Sequence, residues 1–267
     1  MELNSNKLVM KFTAEQIQEN YNNFLSNISK YISSPRKEQL LDFYKEREEI
    51  LVLAPASSRE AYHSAFPGGY VDHVNRVVKA SLDLYELWNS YREIDTFTKE
   101  ELVFSAINHD LGKLGVGNKP SYIPNDSEWH IKNQGQIYKT NTELPFFTVP
   151  DRSLFTLQQA GIYYSENEYL GIKLHDGLYD DINKPYLISY NVESRLRTSL
   201  PLILHQADFL ASRVEWEDQW LHKLGKKQEP KVNNYKSNNE YSKGPSQQAY
   251  KQLANKNQGL MDAFKNI

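Results

Sequence analysis

The apolar positions of this chain recur mostly at three- and four-residue intervals, the spacing that lines one face of an α-helix. Ile17, Tyr21, Phe24, Ile28 and Tyr31 mark the first stripe. Thr13 stands where a helix running to about Ile32 takes a side-chain cap. Ser34-Pro35 restarts a helix, with the proline early enough that its missing N–H is harmless. That helix carries Leu40, Leu41, Tyr44 and Ile50 until Ala54-Pro55-Ala56-Ser57-Ser58 breaks it. Phe66-Pro67-Gly68-Gly69 reads as a tight turn, and Val74, Val77, Val78, Leu82, Tyr85 and Trp88 then predict a long helix over about 70–91. Thr98 and Glu101 have capping-box spacing. Leu102, Ala106 and His109 share one face of the helix that follows, and Gly112 is expected to end it.

From about 115 to 150 the helical pattern is lost. Glycine, proline and asparagine punctuate short runs such as Trp129-His130-Ile131 and Gln136-Ile137-Tyr138, which suggests an irregular insertion or a small hairpin. Helix is expected again over 151–160 and 166–175. A long final helix over about 192–224 puts Leu196, Leu200, Ile203, Leu204, Ala207, Leu210 and Ala211 on its buried side. One more short helix fits 247–264. The expected fold is mainly α: a helical extension over 1–53 packed on a bundle over 54–224, then a tail over 225–267.

Composition narrows the chemistry more than the fold. With 267 residues the chain can bury a substantial core. It has no cysteine, so any metal must be held by nitrogen and oxygen. No apolar run approaches bilayer length and no signal-peptide pattern opens the chain, so a cytoplasmic protein without a membrane partner is the expectation. A net charge of −3 argues against a basic nucleic-acid binder overall. The stretch from His222 to Lys256 is nevertheless basic, with eight Lys against two Glu and with Tyr235, Tyr241 and Tyr250 scattered through it. It reads as a solvated, partly disordered tail. The same composition is compatible with tracking single-stranded nucleic acid.

The sharpest local signal is Ala106-Ile107-Asn108-His109-Asp110-Leu111-Gly112-Lys113, a His-Asp pair at the end of an otherwise apolar helix. A buried carboxylate is costly unless it is paired or bound to a metal, and neutral imidazole is the commonest metal ligand. A lone His-Asp pair is also what a helix C-terminus accommodates through its dipole. The surroundings add weight. His73 falls in the first turn of the long helix, after Pro67-Gly68-Gly69, and Asp208 lies between Leu204 and Ala211 on the last helix, where it should point inward.

His73, His109-Asp110 and Asp208, with Pro-Gly-Gly-x-x-x-His, His-Asp-x-Gly-Lys and Ala207-Asp208 around them, resemble the HD-domain superfamily of metal-dependent phosphohydrolases over roughly 62–213. The resemblance implies an HD-domain helical bundle holding one or two divalent ions (Mn, Mg, Co, Ni, Fe or Zn) that activate water. It implies His73, His109, Asp110 and Asp208 as ligands, with His175 and His130 as candidates for a second ion. His175 sits in Lys173-Leu174-His175-Asp176-Gly177, where Asp176 replaces a histidine common in some subfamilies. Asp110 would bridge the ions or orient the nucleophile, and Lys113 would grip the phosphoryl group. His63 could face the same phosphate, and His205 could orient Asp208. The implied substrate is a nucleotide or another phosphate ester. Two other readings stay open: a di-iron oxygenase using all six candidate ligands, and a non-catalytic nucleic-acid-binding module.

Overall fold

A computed structural model describes residues 11–117 and 119–218. The tail over 225–267, the helix expected over 247–264 and His222 lie outside the described residues. The fold is mainly α, with one two-stranded antiparallel ribbon among the described residues.

Helix α1 (Ala14–Tyr31) opens with a complete capping box, Thr13 accepting from the Gln16 N–H and Gln16 from that of Thr13, and buries Tyr21, Phe24 and Ile28. The helix expected after Pro35 divides into α2 (Arg36–Lys45) and α3 (Glu48–Leu53). The break falls at Arg47, whose φ of −112° and ψ of 15° leave the helical region. Its guanidinium donates to the Phe43 carbonyl and lies over the Phe43 ring. Helix α4 (Gly69–Tyr91) follows the Gly68-Gly69 turn, and α5 (Lys99–Asn108) carries the Thr98–Glu101 capping box.

Between Lys113 and Pro150, strands β1 (Tyr122–Pro124) and β2 (Tyr138–Thr140) pair with Tyr122 opposite Thr140 and Pro124 opposite Tyr138. They are bridged by the short α6 (Glu128–Gln134). Helices α7 (Val149–Gln159), α8 (Glu166–Leu174) and α9 (Lys184–Leu187) lead to α10 (Leu200–Trp216). Helix α10 packs on α4, α5 and α8, so the centre of the molecule is helix against helix. Val74, Val77, Leu102, Phe104, Ile107, Ile172, Ile203 and Leu204 are all buried there. Helices α1 to α3 share the same apolar core through Phe24, Ile28, Leu40 and Leu51.

Two boundaries differ from the sequence expectation. Helix α10 begins at Leu200 instead of near 192, because Pro201 has no N–H to give and its ring would clash with the carbonyl four residues back. Val192–Ser194 forms a separate 3-10 turn. The buried line of α10 then runs through Leu200, Ile203, Leu204, Ala207, Ala211 and Glu215, leaving Leu210 exposed and Leu196 outside the helix. Helix α5 ends at Asn108, before Gly112, which lies within a 3-10 turn over Leu111–Leu114. Gly112 is required for closeness: a Cβ there would overlap the Val149 carbonyl oxygen and crowd Arg152 Cβ on α7. Among the described residues no helix is long and apolar enough to cross a membrane.

Gly112→Ala should therefore push α7 away from the turn and lower stability by about 1–3 kcal/mol, as overpacking does. The midpoint of urea unfolding measures it, and an unchanged midpoint would contradict this account of the turn.

Candidate metal centre

Four chain segments deliver imidazoles and carboxylates to one place. Gly68, with φ of 83°, turns the chain into α4, and Gly69 passes the Ser64 carbonyl where a Cβ would collide. This sets His73 in the opening turns of α4. His109 is the C-cap of α5 and His175 the C-cap of α8. Each turns Nδ1 back to the carbonyl three residues earlier, Ala106 and Ile172, at 2.8 Å in both cases. A helix C-terminus has unsatisfied carbonyls, so the imidazole N–H has a ready acceptor and Nε2 is left facing outward. Ser153 of α7 locks the first of these turns, accepting from the Gly112 N–H and donating to the His109 carbonyl. Tyr44 of α2 braces it from the other side by donating to Asn108 at 2.7 Å.

Around the shared point, His73 Nε2 lies 3.2 Å from Asp208 Oδ1 and 3.5 Å from Asp110 Oδ2. His109 Nε2 lies 3.3 Å from Asp110 Oδ2 and 4.0 Å from Asp208 Oδ1. Neither Nε2 has a hydrogen-bond partner, although both are buried. Asp110 turns its other oxygen, Oδ1, toward His175 Nε2 at 3.7 Å. The ligand atoms of His73, His109 and Asp208 form one group close enough to hold a metal ion, and those of His109, Asp110 and His175 form another.

The electrostatics are those of a crowded, dry site. Burial opposes charge on His73, but Glu215 and Asp208 outweigh it and push the imidazole up to about 10. His175 is likewise disfavoured by burial yet driven up to about 9 by Asp176 and Asp110. Burial would raise Asp110, but Lys113 and His109 hold it well below the usual carboxylate range. Asp208 is depressed against burial by His73. His63 goes the other way, with burial and then His73 lowering it to about 4.

The structure thus brings together His73, His109, Asp110, His175 and Asp208, and places Lys113 beside them, its Nζ 2.5 Å from Asp110 Oδ2. His63 lines the same cleft, with Nδ1 at 3.2 Å from Glu215. His130 stands apart on α6, where Nδ1 meets the Ser127 hydroxyl at 2.6 Å and the ring packs edge-on to Trp129. It belongs to none of the metal-competent groups found among the described residues. His205 does not orient Asp208. Its Nδ1 pairs with the His175 carbonyl at 2.8 Å, and its ring fills the space that a Cβ on Gly177 would need.

Sequence reasoning missed Glu215. Its side chain is fully buried, bonded to His73 Nδ1 at 3.1 Å, to the Ser64 hydroxyl at 3.1 Å and to His63. The signal was present: Glu215 lies four residues after Ala211 and seven after Asp208, on the apolar line of α10. Arg213, Asp176, Tyr179 and Phe209 also line the cleft, which encloses about 180 Å³. No protein-family model, curated protein or solved structure matches this chain.

Removing the acceptor between three donors should be expensive. Glu215→Ala is expected to cost about 3 kcal/mol or more in chelator-treated protein, since it strands His73 without its buried partner. Glu215→Gln, which keeps one acceptor oxygen, should cost less. Equal unfolding midpoints for wild type and Glu215→Ala would contradict this.

Proposed function

We propose that this chain is a metal-dependent phosphohydrolase acting on a nucleotide or another phosphate ester. The observation that carries the reading is the pair of buried, unpartnered Nε2 atoms on His73 and His109, both facing the oxygens of Asp110 and Asp208. Nitrogens and carboxylate oxygens held this close need positive charge between them, which either an imidazolium proton or a bound cation supplies. Metal–ligand distances of about 2.1 Å give ligand–ligand edges of about 3.0 Å in an octahedron and about 3.4 Å in a tetrahedron. The spacings of 3.2, 3.3 and 3.5 Å fall on that scale, and the 4.0 Å spacing is looser. With no cysteine in the chain, this nitrogen and oxygen set suits a divalent ion such as Mn, Mg, Fe, Co, Ni or Zn.

Such an ion, when bound, lowers the pKa of water and neutralises charge on phosphoryl oxygens. The chain's own groups divide the remaining tasks. His73, His109, Asp110 and Asp208 form the ligand set, and His175 extends it on the Oδ1 side of Asp110. Glu215 fixes the tautomer of His73 through Nδ1, as a carboxylate behind a metal-binding histidine does. Lys113 and Arg213 bring positive charge to the cleft wall for the phosphoryl oxygens. The oxygenase reading calls on six ligands including His130, and the position of His130 on α6 favours the hydrolase.

Metal analysis of the purified chain, followed by a phosphate-release screen of nucleotides and simple esters with Mn, Mg, Co or Ni, tests the proposal. Asp208→Asn and His109→Ala should each lower kcat/KM by about 10²–10⁴, the several kcal/mol that a metal contributes. Absence of both bound metal and phosphate release would overturn it.

Metal binding should also depend on pH with a definite sign. Because His73 and His175 are held up near 10 and 9, both carry protons at neutral pH and must lose them to coordinate. Affinity should rise with pH from 6.5 to 8.5, by up to about tenfold per unit for each proton released. Calorimetric titration with Mn at several pH values measures the slope. A flat or falling slope would exclude the raised imidazoles as ligands.

A further inference from the structure

A second and larger cavity, of about 510 Å³, adjoins the cleft. One wall is the outer face of α3, where Glu49, Ile50 and Leu53 follow helical spacing. The facing wall is the β-ribbon: Pro120, Tyr122 and Pro124 alternate along β1 and its approach, with Tyr138 paired opposite Pro124. Lys113 lines both this cavity and the cleft, so the two spaces share a wall.

Size separates their roles. Sites for small organic ligands usually enclose about 300–1,000 Å³. The cleft, at about 180 Å³, falls short of that range, while its neighbour lies within it. The cleft has room for a phosphoryl group, and the organic remainder of a substrate needs the larger space. The chemistry of the walls narrows what that remainder can be. Proline rings and helix α3 make them stiff, so little ordering cost attends binding. Tyr122 is the partly exposed aromatic ring of this wall, suited to stacking a flat π-system, while Tyr138 is buried. The lining carries Glu46 and Glu49 against Arg47 and Lys113, so its charges balance and it offers no net attraction to a charged occupant.

From this geometry we infer that the larger cavity is the subsite for a flat, uncharged ring system of the nucleobase kind, joined to a phosphoryl group that reaches the cleft past Lys113. The phosphoryl end rests on the hydrolase reading above. Occupancy by the ring does not.

The test uses nucleosides, which lack phosphate, titrated into the full chain in chelator by ligand-observed NMR. At least one of adenosine, guanosine, cytidine and thymidine should bind with a Kd of about 1 mM or tighter. Leu53→Glu and Pro124→Glu place a carboxylate on opposite walls and should each weaken that binding at least about tenfold. Both positions are exposed, Leu53 by 52%, so each variant should keep its fold, checked by thermal melting, and either one suffices. The inference is overturned if no nucleoside binds or if folded wall variants bind like wild type. Phosphate release from simple esters without nucleoside binding would sink this subsite and spare the hydrolase reading. Nucleoside binding without metal uptake or phosphate release would do the reverse.

Discussion

One imidazole clamped between two carboxylates of a single helix organises the centre of this molecule. Asp208 and Glu215 are seven residues apart on α10, two turns or about 10.5 Å along the axis. His73, carried on α4, reaches between them, with Nδ1 on Glu215 and Nε2 beside Asp208. Each group alone would be costly to bury among the valines and leucines where α4 meets α10. Together they satisfy one side of the ring and leave the other crowded by oxygens. The packing of α4 on α10 is therefore tied to the geometry of the site, since any slip along α10 would separate His73 from one carboxylate. Buried networks of this kind set register more than they add net stability.

The other two imidazoles are placed by a second, simpler device used twice. Asn108-His109-Asp110 and Leu174-His175-Asp176 both end a helix, and both lead into a 3-10 turn, Leu111–Leu114 and Gly177–Tyr179. In each case the histidine caps its own helix with Nδ1 and presents Nε2 toward Asp110. Capping and the presentation of Nε2 are thus one interaction in both places. The two rings meet at 4.8 Å between centroids, so Asp110 has an imidazole for each of its oxygens.

What could be read from the sequence follows from how local each cause is. Capping boxes at Thr13 and Thr98 need only residues three apart, and both form. His73, His109 and Asp110 are legible because polar residues interrupt apolar stripes close to glycine, and Asp208 because it interrupts the apolar stripe of α10. The start of α10 is set by a local cause, Pro201, but the hydrophobic periodicity continues upstream of it and masks that boundary. Gly112 has the sequence appearance of a helix stop, while its actual constraint is contact with α7, some forty residues away in the chain. His130 lies in a stretch without periodicity, so nothing in the pattern could place it near or far from the others. Glu215 was overlooked because an acidic residue near a helix end usually faces water. Only its phase relative to Ala207 and Ala211 betrays that this one does not.

The N-terminal helices lie outside the stretch that resembles the HD pattern, yet they are physically part of the site. Tyr44 of α2 reaches Asn108, the residue next to His109, and is itself buried against Phe24 and Phe43. Loss of that hydroxyl would leave the buried side-chain oxygen Oδ1 of Asn108 unpaired, and the turn beside it would have to adjust. Helix α3 contributes a wall of the larger cavity, which the β-ribbon alone could not close. The metal-competent cluster and the walls of the larger cavity thus draw on different parts of the chain. The first set is confined to helix ends and buried helix faces, where geometry is rigid. The second is drawn from the outer face of the short α3 and from the ribbon.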